Sequence, residues 1–146
     1  MATQMYINLP VKDLNKSLAF FEKLGFKTNA QFSDDKAACL IIGTDCFIML
    51  VSESFFKTFI KKEISDAGKS AEVILSVSRD TKAKVDEMVK IALAAGGKPS
   101  SAAKDYGWMY QQGFQDLDGH LWEVLFMDMS KLPTRVPQEK HSRDIL

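Results

Sequence analysis

The chain has 146 residues and no formal net charge, with 19 basic and 19 acidic side chains. This length fits one domain that buries a core. Balanced charge does not favour nucleic acid or an anionic membrane as a partner. No apolar run approaches the roughly 20 residues that span a bilayer. Because the N-terminus has no basic segment followed by an apolar one, we expect a cytoplasmic protein.

The chain contains an internal duplication. The first unit, residues 5–52, reads as a strand, a helical stretch that ends at Gly25, and three further strands. The second unit, residues 71–127, repeats this order with a helical stretch that ends at Gly96 and Gly97. An internal repeat of this kind indicates that the fold is built from two similar structural units. The sequence therefore predicts an α+β domain over 1–127, in which two tandem βαβββ units form a pseudo-symmetric, cupped mixed sheet.

The first unit carries clear local signals. Residues 5–11 alternate in polarity, which favours a strand. Asp13 can cap the helix that follows, and Gly25 can end it. One apolar stripe along this helix consists of Leu14, Leu18, Phe21 and Leu24. Further strands are predicted at 26–32, 37–42 and 46–51.

Residues 53–70 have no counterpart after the second unit and are predicted to form a linker helix. Its apolar side chains share one face and its lysines another. The apolar side chains are those of Phe55, Phe56, Phe59 and Ile60. Since apolar residues on a linker have few partners within the fold, this stripe is a candidate lid, dimer contact or surface for a protein partner. Packing onto the sheet is the alternative.

The second unit repeats the pattern and ends in a polar tail. Its helix carries the apolar residues Val85, Met88, Val89, Ala92 and Ala95 on one face. Strands are predicted at 71–78, 98–103, 108–115 and 120–127, the last two forming a hairpin around residues 116–119. Residues 128–146 show no periodicity, and we predict a loosely held tail to which no function is assigned.

Strand parity places two acidic side chains on the concave side of the sheet. Alternate residues of a strand share one face. If Trp122 and Val124 pack under the helices, Glu123 faces the other way, together with Leu121. By the same parity Glu72 faces away from the helices. Because ionised carboxylates are rarely buried without a partner, this pair predicts a ligand, a metal ion or a shared proton in the cleft.

Four segments resemble the vicinal oxygen chelate superfamily, which includes glyoxalase I, bleomycin-resistance proteins, fosfomycin-resistance proteins and extradiol dioxygenases. The similar segments are residues 9–14, 17–26, 95–97 and 114–124. Leu117 stands where the family usually has proline. The resemblance covers residues 5–127. It implies duplicated βαβββ units whose sheets cup a small-molecule site, commonly completed in a homodimer.

The resemblance also implies four metal-ligand positions, which fall on Tyr6, Met49, Glu72 and Glu123. Only Glu123 matches the family pattern. A methionine thioether suits hard divalent ions poorly, because these prefer oxygen, and tyrosine would ligate only as a phenolate. We therefore expect no resident cofactor. A divalent metal ion held by Glu72 and Glu123 is the alternative.

The predicted ligand site combines both units. Its lining is Tyr6, Asn8, Phe47, Met49, Glu72 and Leu121, with Glu123 as the acid-base residue if the protein is an enzyme. Aromatic residues on the seventh predicted strand, Trp108 and Tyr110, are candidates for a further wall against an apolar ligand. Core packing is the alternative for both.

Three functions fit these observations. The first is a glyoxalase or bleomycin-resistance type protein that encloses a small organic molecule beside an incomplete metal site. The second is a metal-dependent lyase or isomerase, or a ring-cleaving dioxygenase, because one fold hosts many chemistries. The third is a protein-interaction module that uses the linker helix and the tail.

Overall fold

The computed structural model describes residues 2–133. The predicted tail, residues 128–146, lies largely outside this part of the chain, and its described portion includes one short 3-10 turn at Met129–Lys131. Among the described residues, no helix has the length and apolar character needed to cross a membrane.

The first unit forms a four-stranded sheet. The strands run in the order β1, β4, β3, β2, with β1 parallel to β4 and the other pairs antiparallel. Its elements are β1 (Met5–Val11), α1 (Leu14–Lys23), β2 (Lys27–Asn29), β3 (Ala37–Gly43) and β4 (Cys46–Ser52).

After a short linker helix, α2 (Glu53–Phe56), the second unit forms a five-stranded sheet. The strands run in the order β5, β9, β8, β6, and β7 also pairs with β8. The remaining elements are β5 (Ile74–Ser78), α3 (Lys82–Ala94), β6 (Lys98–Pro99), β7 (Lys104–Asp105), β8 (Met109–Gln115) and β9 (Leu121–Met127). The predicted α+β duplication is confirmed.

Local signals in the sequence explain both long helices. The Asp13 carboxylate accepts a hydrogen bond from the backbone N–H of Lys16, which caps α1 as predicted. Gly25 has a φ of 98°, a conformation that favours glycine and ends the helix. At the end of α3, a Cβ on Gly97 would lie 2.7 Å from the carbonyl oxygen of Gln115, so glycine allows the chain to pass close to β8.

The helix predicted across 53–70 is wrong beyond residue 59. After α2, a 3-10 turn at Lys57–Phe59 ends where Ile60 adopts an extended backbone. No side chain caps α2, and a helix this short gains little without a cap or extensive packing. The chain from Ile60 instead runs over the second unit, where Ala67 approaches the turn at Gly119. Apolar residues of this segment line a cavity described below.

Three strands are shorter than predicted. Residues 30–32 leave the sheet as a 3-10 turn, and the strand predicted at 98–103 is limited to its first two residues, β6, with β7 forming after its predicted end. β5 begins at Ile74, which pairs with Leu121, the first residue of β9. Residues 71–73 therefore extend past the end of β9 and have no strand-pairing partner on it. Glu72 thus lies in the segment that precedes β5.

One hydrophobic core joins the two units. Side chains of α1 pack against the second sheet, with ring centroids 5.1 Å apart for Phe21 and Trp122 and 6.1 Å apart for Phe20 and Phe114. The faces predicted to lie under the helices are mostly confirmed, since Leu9, Val11, Leu75, Trp122 and Val124 are buried in this core. Val73, which precedes β5, is 55% exposed and lies outside it.

Candidate functional site

The face of the second sheet that points away from the core carries Glu123. The strand pairing sets Glu123 beside Ser76 of β5 and Gly113 of β8. Its chain neighbours Trp122 and Val124 are buried on the opposite face. The predicted parity of this strand is therefore correct.

A hollow of about 460 Å³ lies over this face. We call it the Glu123 hollow. It is lined by Ala71, Glu72, Val73, Ile74, Ser100, Ser101, Lys104, Gln111, Leu121, Trp122 and Glu123. Three of the predicted site residues thus share one hollow: Glu72, Leu121 and Glu123. Glu123 is half-buried, whereas Glu72 is exposed at the rim.

A second cavity of about 380 Å³ adjoins the first and lies between β1, the linker and β5. We call it the linker cavity. Its linker side is contributed by apolar residues, among them Phe56, Ile60 and Ile64. Asn8 lines this cavity, and Glu72 and Leu121 line both cavities. Asn8 therefore lies near Glu72 but outside the Glu123 hollow.

The other predicted residues of the first unit form a separate surface. Tyr6 and Phe47 are paired across β1 and β4, and their rings stack with centroids 4.8 Å apart. Met49 pairs with Asn8 on the same face. None of Tyr6, Phe47 and Met49 lines the Glu123 hollow or the linker cavity. Within one chain, the site predicted from both units is divided into two halves.

Tyr110 lies on the face of β8 that α3 covers. Its hydroxyl donates a 2.6 Å hydrogen bond to the carboxylate of Asp86 on α3. This bond, together with burial and the negative charge of Asp86, raises the pKa of Tyr110 to about 12. Trp108, just before β8, is 8% exposed. Neither residue lines the Glu123 hollow, and Tyr110 packs against the hydrophobic core.

The turn between β8 and β9 holds a cluster of potential metal ligands that the sequence reading treated only as a turn. Ligand atoms of Asp116, Asp118 and His120 lie within 4.8 Å of one another. All three residues are already hydrogen-bonded. Asp116 accepts bonds from the backbone N–H groups of Asp118 and His120 and from the indole N–H of Trp122. Burial raises the pKa of the Asp116 carboxyl despite these bonds.

The same turn connects the two units. Asp118 accepts hydrogen bonds from the backbone N–H of Lys12 at 2.9 Å and from the hydroxyl of Ser17 at 3.1 Å. His120 Nε2 lies 2.9 Å from the carbonyl oxygen of Pro10, which can only accept, so this nitrogen carries the proton. Polar residues at every second position over 116–120 were the sequence signal that could have revealed this contact between the units.

The residues at the family's metal positions do not make a ligand set of the usual kind. Glu72 and Glu123 share a hollow, but Tyr6 and Met49 lie on the other sheet. In the described chain, the one group of three or more carboxylate, histidine or thiol ligands is the turn cluster of Asp116, Asp118 and His120. A cation there would have to replace hydrogen bonds that hold the turn and the two units together. Neither the pair of Glu72 and Glu123 nor the turn cluster therefore provides a preformed set of oxygen and nitrogen ligands for a metal ion.

Sequence reasoning missed Gln111, Ser100 and Ser101 in the lining of the Glu123 hollow. Gln111 could have been found, because it pairs with Leu125 and strand parity puts both on the face of Glu123. The serines could not, since they belong to the irregular segment between β6 and β7. A Cβ on Gly113 would lie 2.4 Å from Ser101 Oγ, so Gly113 lets this segment approach the sheet.

Comparison with known proteins agrees with this architecture. A family model described as the Glyoxalase/Bleomycin resistance protein/Dioxygenase superfamily matches residues 3–124. The comparison with curated proteins gives no match. Among solved structures, the hypothetical protein SA1046 from S. aureus has 31% sequence identity and a TM-score of 0.75, with 86% of this chain and 95% of that chain covered.

Two more distant structures share the fold. One is a glyoxalase/bleomycin resistance protein/dioxygenase family enzyme from Burkholderia phytofirmans PsJN, with 21% identity, a TM-score of 0.73 and coverage of 86% of this chain and 99% of that chain. The other is the fosfomycin resistance protein FosX from Listeria monocytogenes, with 19% identity and a TM-score of 0.64. The match covers 89% of this chain and 97% of the FosX chain. At these identities the likeness concerns the fold alone.

Proposed function

This chain belongs to the Glyoxalase/Bleomycin resistance protein/Dioxygenase superfamily, and on that basis we propose that it binds a small organic amine in the Glu123 hollow. The observation that carries this proposal is that Glu72 and Glu123 line one hollow. Two carboxylates and one lysine give its walls a net negative charge. A ligand with a cationic group matches such a lining.

The chemistry of the lining supports this ligand class. Glu123 is half-buried beside Ser76 and Gly113, and the lining of the hollow also has apolar residues, including Leu121 and Ile74. A carboxylate in such surroundings forms stronger ionic hydrogen bonds than it does in bulk water. An amine can bind between Glu123 and the more exposed Glu72, while its carbon skeleton contacts the apolar side chains. Pockets for small molecules usually combine these two kinds of surface.

A second copy of the chain would complete the site. The first sheet offers an aromatic surface at Tyr6 and Phe47, and Tyr6 is 42% exposed. The Glu123 hollow has exposed apolar residues at its edge, Val73 at 55% and Ile74 at 53%. Apolar surface of this kind favours association. In the proposed homodimer, the Tyr6 surface of one copy covers the Glu123 hollow of the other.

Catalysis is the alternative function. A half-buried carboxylate can act as a general base, so Glu123 would be the acid-base residue of a lyase, isomerase or ring-cleaving dioxygenase. Such an enzyme would hold a divalent ion through Glu72, Glu123 and additional ligands. The observation that favours this alternative is that Glu72 and Glu123 line one hollow.

Elemental analysis combined with a binding assay separates these functions. We expect purified protein to bind isopentylamine, followed by NMR of backbone amides, with shift changes near Leu121–Leu125 and equal affinity after treatment with a chelator. Stoichiometric metal and chelator-sensitive binding would instead support the metalloenzyme. Shift changes confined to the linker around Phe55 and Phe59 would refute binding of the amine in the Glu123 hollow.

A further inference from the structure

Gln111 is a buried polar residue without a partner for its side chain. It is 6% exposed, and it lines the Glu123 hollow. Within residues 2–133, its side-chain amide makes no hydrogen bond. Buried amides in folded proteins are nearly always paired, either with protein groups or with water. The amide atoms of Gln111 are not among the fully enclosed polar atoms that lack a partner, so they open onto the hollow, where water or a ligand can pair with them.

The neighbouring glutamines show that the absence of a partner is particular to Gln111. Gln112, on the opposite face of β8, donates a 2.9 Å hydrogen bond to Asp86. Gln115 has the same parity as Gln111 and donates to the carbonyl oxygen of Pro99 at 3.5 Å. Gln115 does not line the Glu123 hollow. Of the three glutamines on this strand, the one in the hollow is the one without a bond.

Gln111 and Glu123 are placed to contact the same small molecule. Glu123 pairs with Gly113, and Gln111 pairs with Leu125, so the two polar residues are diagonal neighbours on one face. Diagonal neighbours have Cβ atoms about 7–8 Å apart, within reach of one small ligand. Ser101 packs over Gly113, which lies beside them on β8, so a ligand that contacts both residues would also contact Ser101.

We propose that the side-chain amide of Gln111 determines ligand specificity by pairing with an amide group on an amine held by Glu123. The inference rests on the proposed function and names its ligand class more closely: a small amine that also carries a carboxamide or lactam. The glutamine amide presents one acceptor beside two N–H donors. A carboxamide presents the complementary pair and can form two parallel hydrogen bonds with it.

The physical basis of the selectivity is the cost of covering the Gln111 amide with an apolar group. A ligand with a carboxamide replaces the hydrogen bonds that Gln111 makes to water in the hollow. An apolar ligand of the same shape covers Gln111 and removes it from the remaining water. Sites built to pair with a polar group reject analogues that lack it for this reason. Because the carboxamide must itself leave water, the net preference is modest, roughly fivefold to tenfold in Kd.

Two probes of equal shape test this inference. β-Alaninamide and isopentylamine share the amine and a chain of three carbons. The amide oxygen and nitrogen of the first compound are replaced by two methyl groups in the second. We expect wild-type protein to bind β-alaninamide about fivefold or more tightly in NMR titrations. Gln111→Met should remove this preference, so that the two dissociation constants differ by less than about twofold. Gln115→Met is the matched control and should keep the wild-type preference.

The outcomes distinguish this inference from the proposed function. If wild type binds both amines with equal affinity through Glu123, or if Gln111→Met keeps the preference, the role of Gln111 is refuted and the amine site stands. If neither probe binds wild type, both proposals fail. Should Gln111→Met not fold, judged by its NMR spectrum, Gln111→Asn supplies the test, because a shorter amide should reduce the preference and an unchanged preference would refute the role.

Discussion

Asp118 accepts a 2.9 Å hydrogen bond from the backbone N–H of Lys12, a residue 106 positions earlier in the chain. The same carboxylate accepts from the hydroxyl of Ser17, so the turn of the second unit holds the first turn of α1. β9 follows this turn directly and carries Glu123. The contact between the units therefore helps to fix the strand on which the proposed site depends.

Loss of this contact should lower stability. We expect Asp118→Ala to reduce the free energy of unfolding by about 1–3 kcal/mol, because two donors lose a charged acceptor. Urea denaturation measures the change. Asp35→Ala, at an exposed aspartate, is the control and should change stability by less than about 0.5 kcal/mol. Equal effects of the two substitutions would show that the Asp118 bonds do not hold the units together.

Asp116 should contribute stability that depends on pH. Burial raises the pKa of its carboxyl above the usual value, so the folded state binds a proton more strongly than the unfolded state. The stabilising contribution of this protonation is present below the unfolded-state pKa and is lost as pH rises through the folded-state pKa. The free energy of unfolding of wild type minus that of Asp116→Asn should therefore fall with rising pH across the acidic range. A difference that rises over this range would contradict the direction of the pKa shift.

Tyr110 should ionise at unusually high pH. Its hydrogen bond to Asp86 raises its pKa to about 12. Ultraviolet absorbance titration of wild type against Tyr110→Phe isolates the tyrosinate signal. Asp86→Asn should lower the pKa of Tyr110, because it removes the negative charge. An unchanged pKa in Asp86→Asn would exclude this carboxylate as the cause.

The proposed homodimer predicts sensitivity at the edge of the Glu123 hollow. Light scattering should give the mass of two chains for wild type and of one chain for Ile74→Lys, because the substitution places a charge in the apolar contact. Leu93→Lys is the control, since Leu93 is 38% exposed on α3, away from the Tyr6 surface and the hollow. A monomeric wild type, or a dimer unaffected at Ile74, would refute the proposed arrangement.

The sequence was sufficient to predict the fold because two local signals repeat. The helix boundaries at Asp13, Gly25 and Gly96 come from capping and backbone conformation, which depend on single residues. Strand parity in β9 follows from the alternation of buried Trp122 and Val124 with Glu123. Both signals are local, and neither requires knowledge of how the units pack.

The arrangement of the site depended on contacts that local signals do not contain. Parity placed Tyr6 and Glu123 on faces turned from the helices, but both sheets direct their helix-covered faces into one core. The face that carries Tyr6 and the face that carries Glu123 both point away from this core and therefore form separate surfaces. The linker was read as a helix from the spacing of Phe56 and Ile60, whereas these residues line a cavity that exists only after the units pack. Strand parity could have placed Gln111 on the face of Glu123, whereas the lack of a protein partner for its side chain is visible only in three dimensions.

The dissociation constant of isopentylamine for wild type and for Glu123→Gln tests the central claim most directly. Glutamine keeps the shape of the side chain and removes the charge, so we expect affinity to fall about tenfold or more with the loss of an ionic hydrogen bond. Glu87→Gln, at an exposed position of α3, should bind as wild type does. If Glu123→Gln and wild type bind with the same affinity, Glu123 does not anchor the ligand and the proposed site is wrong.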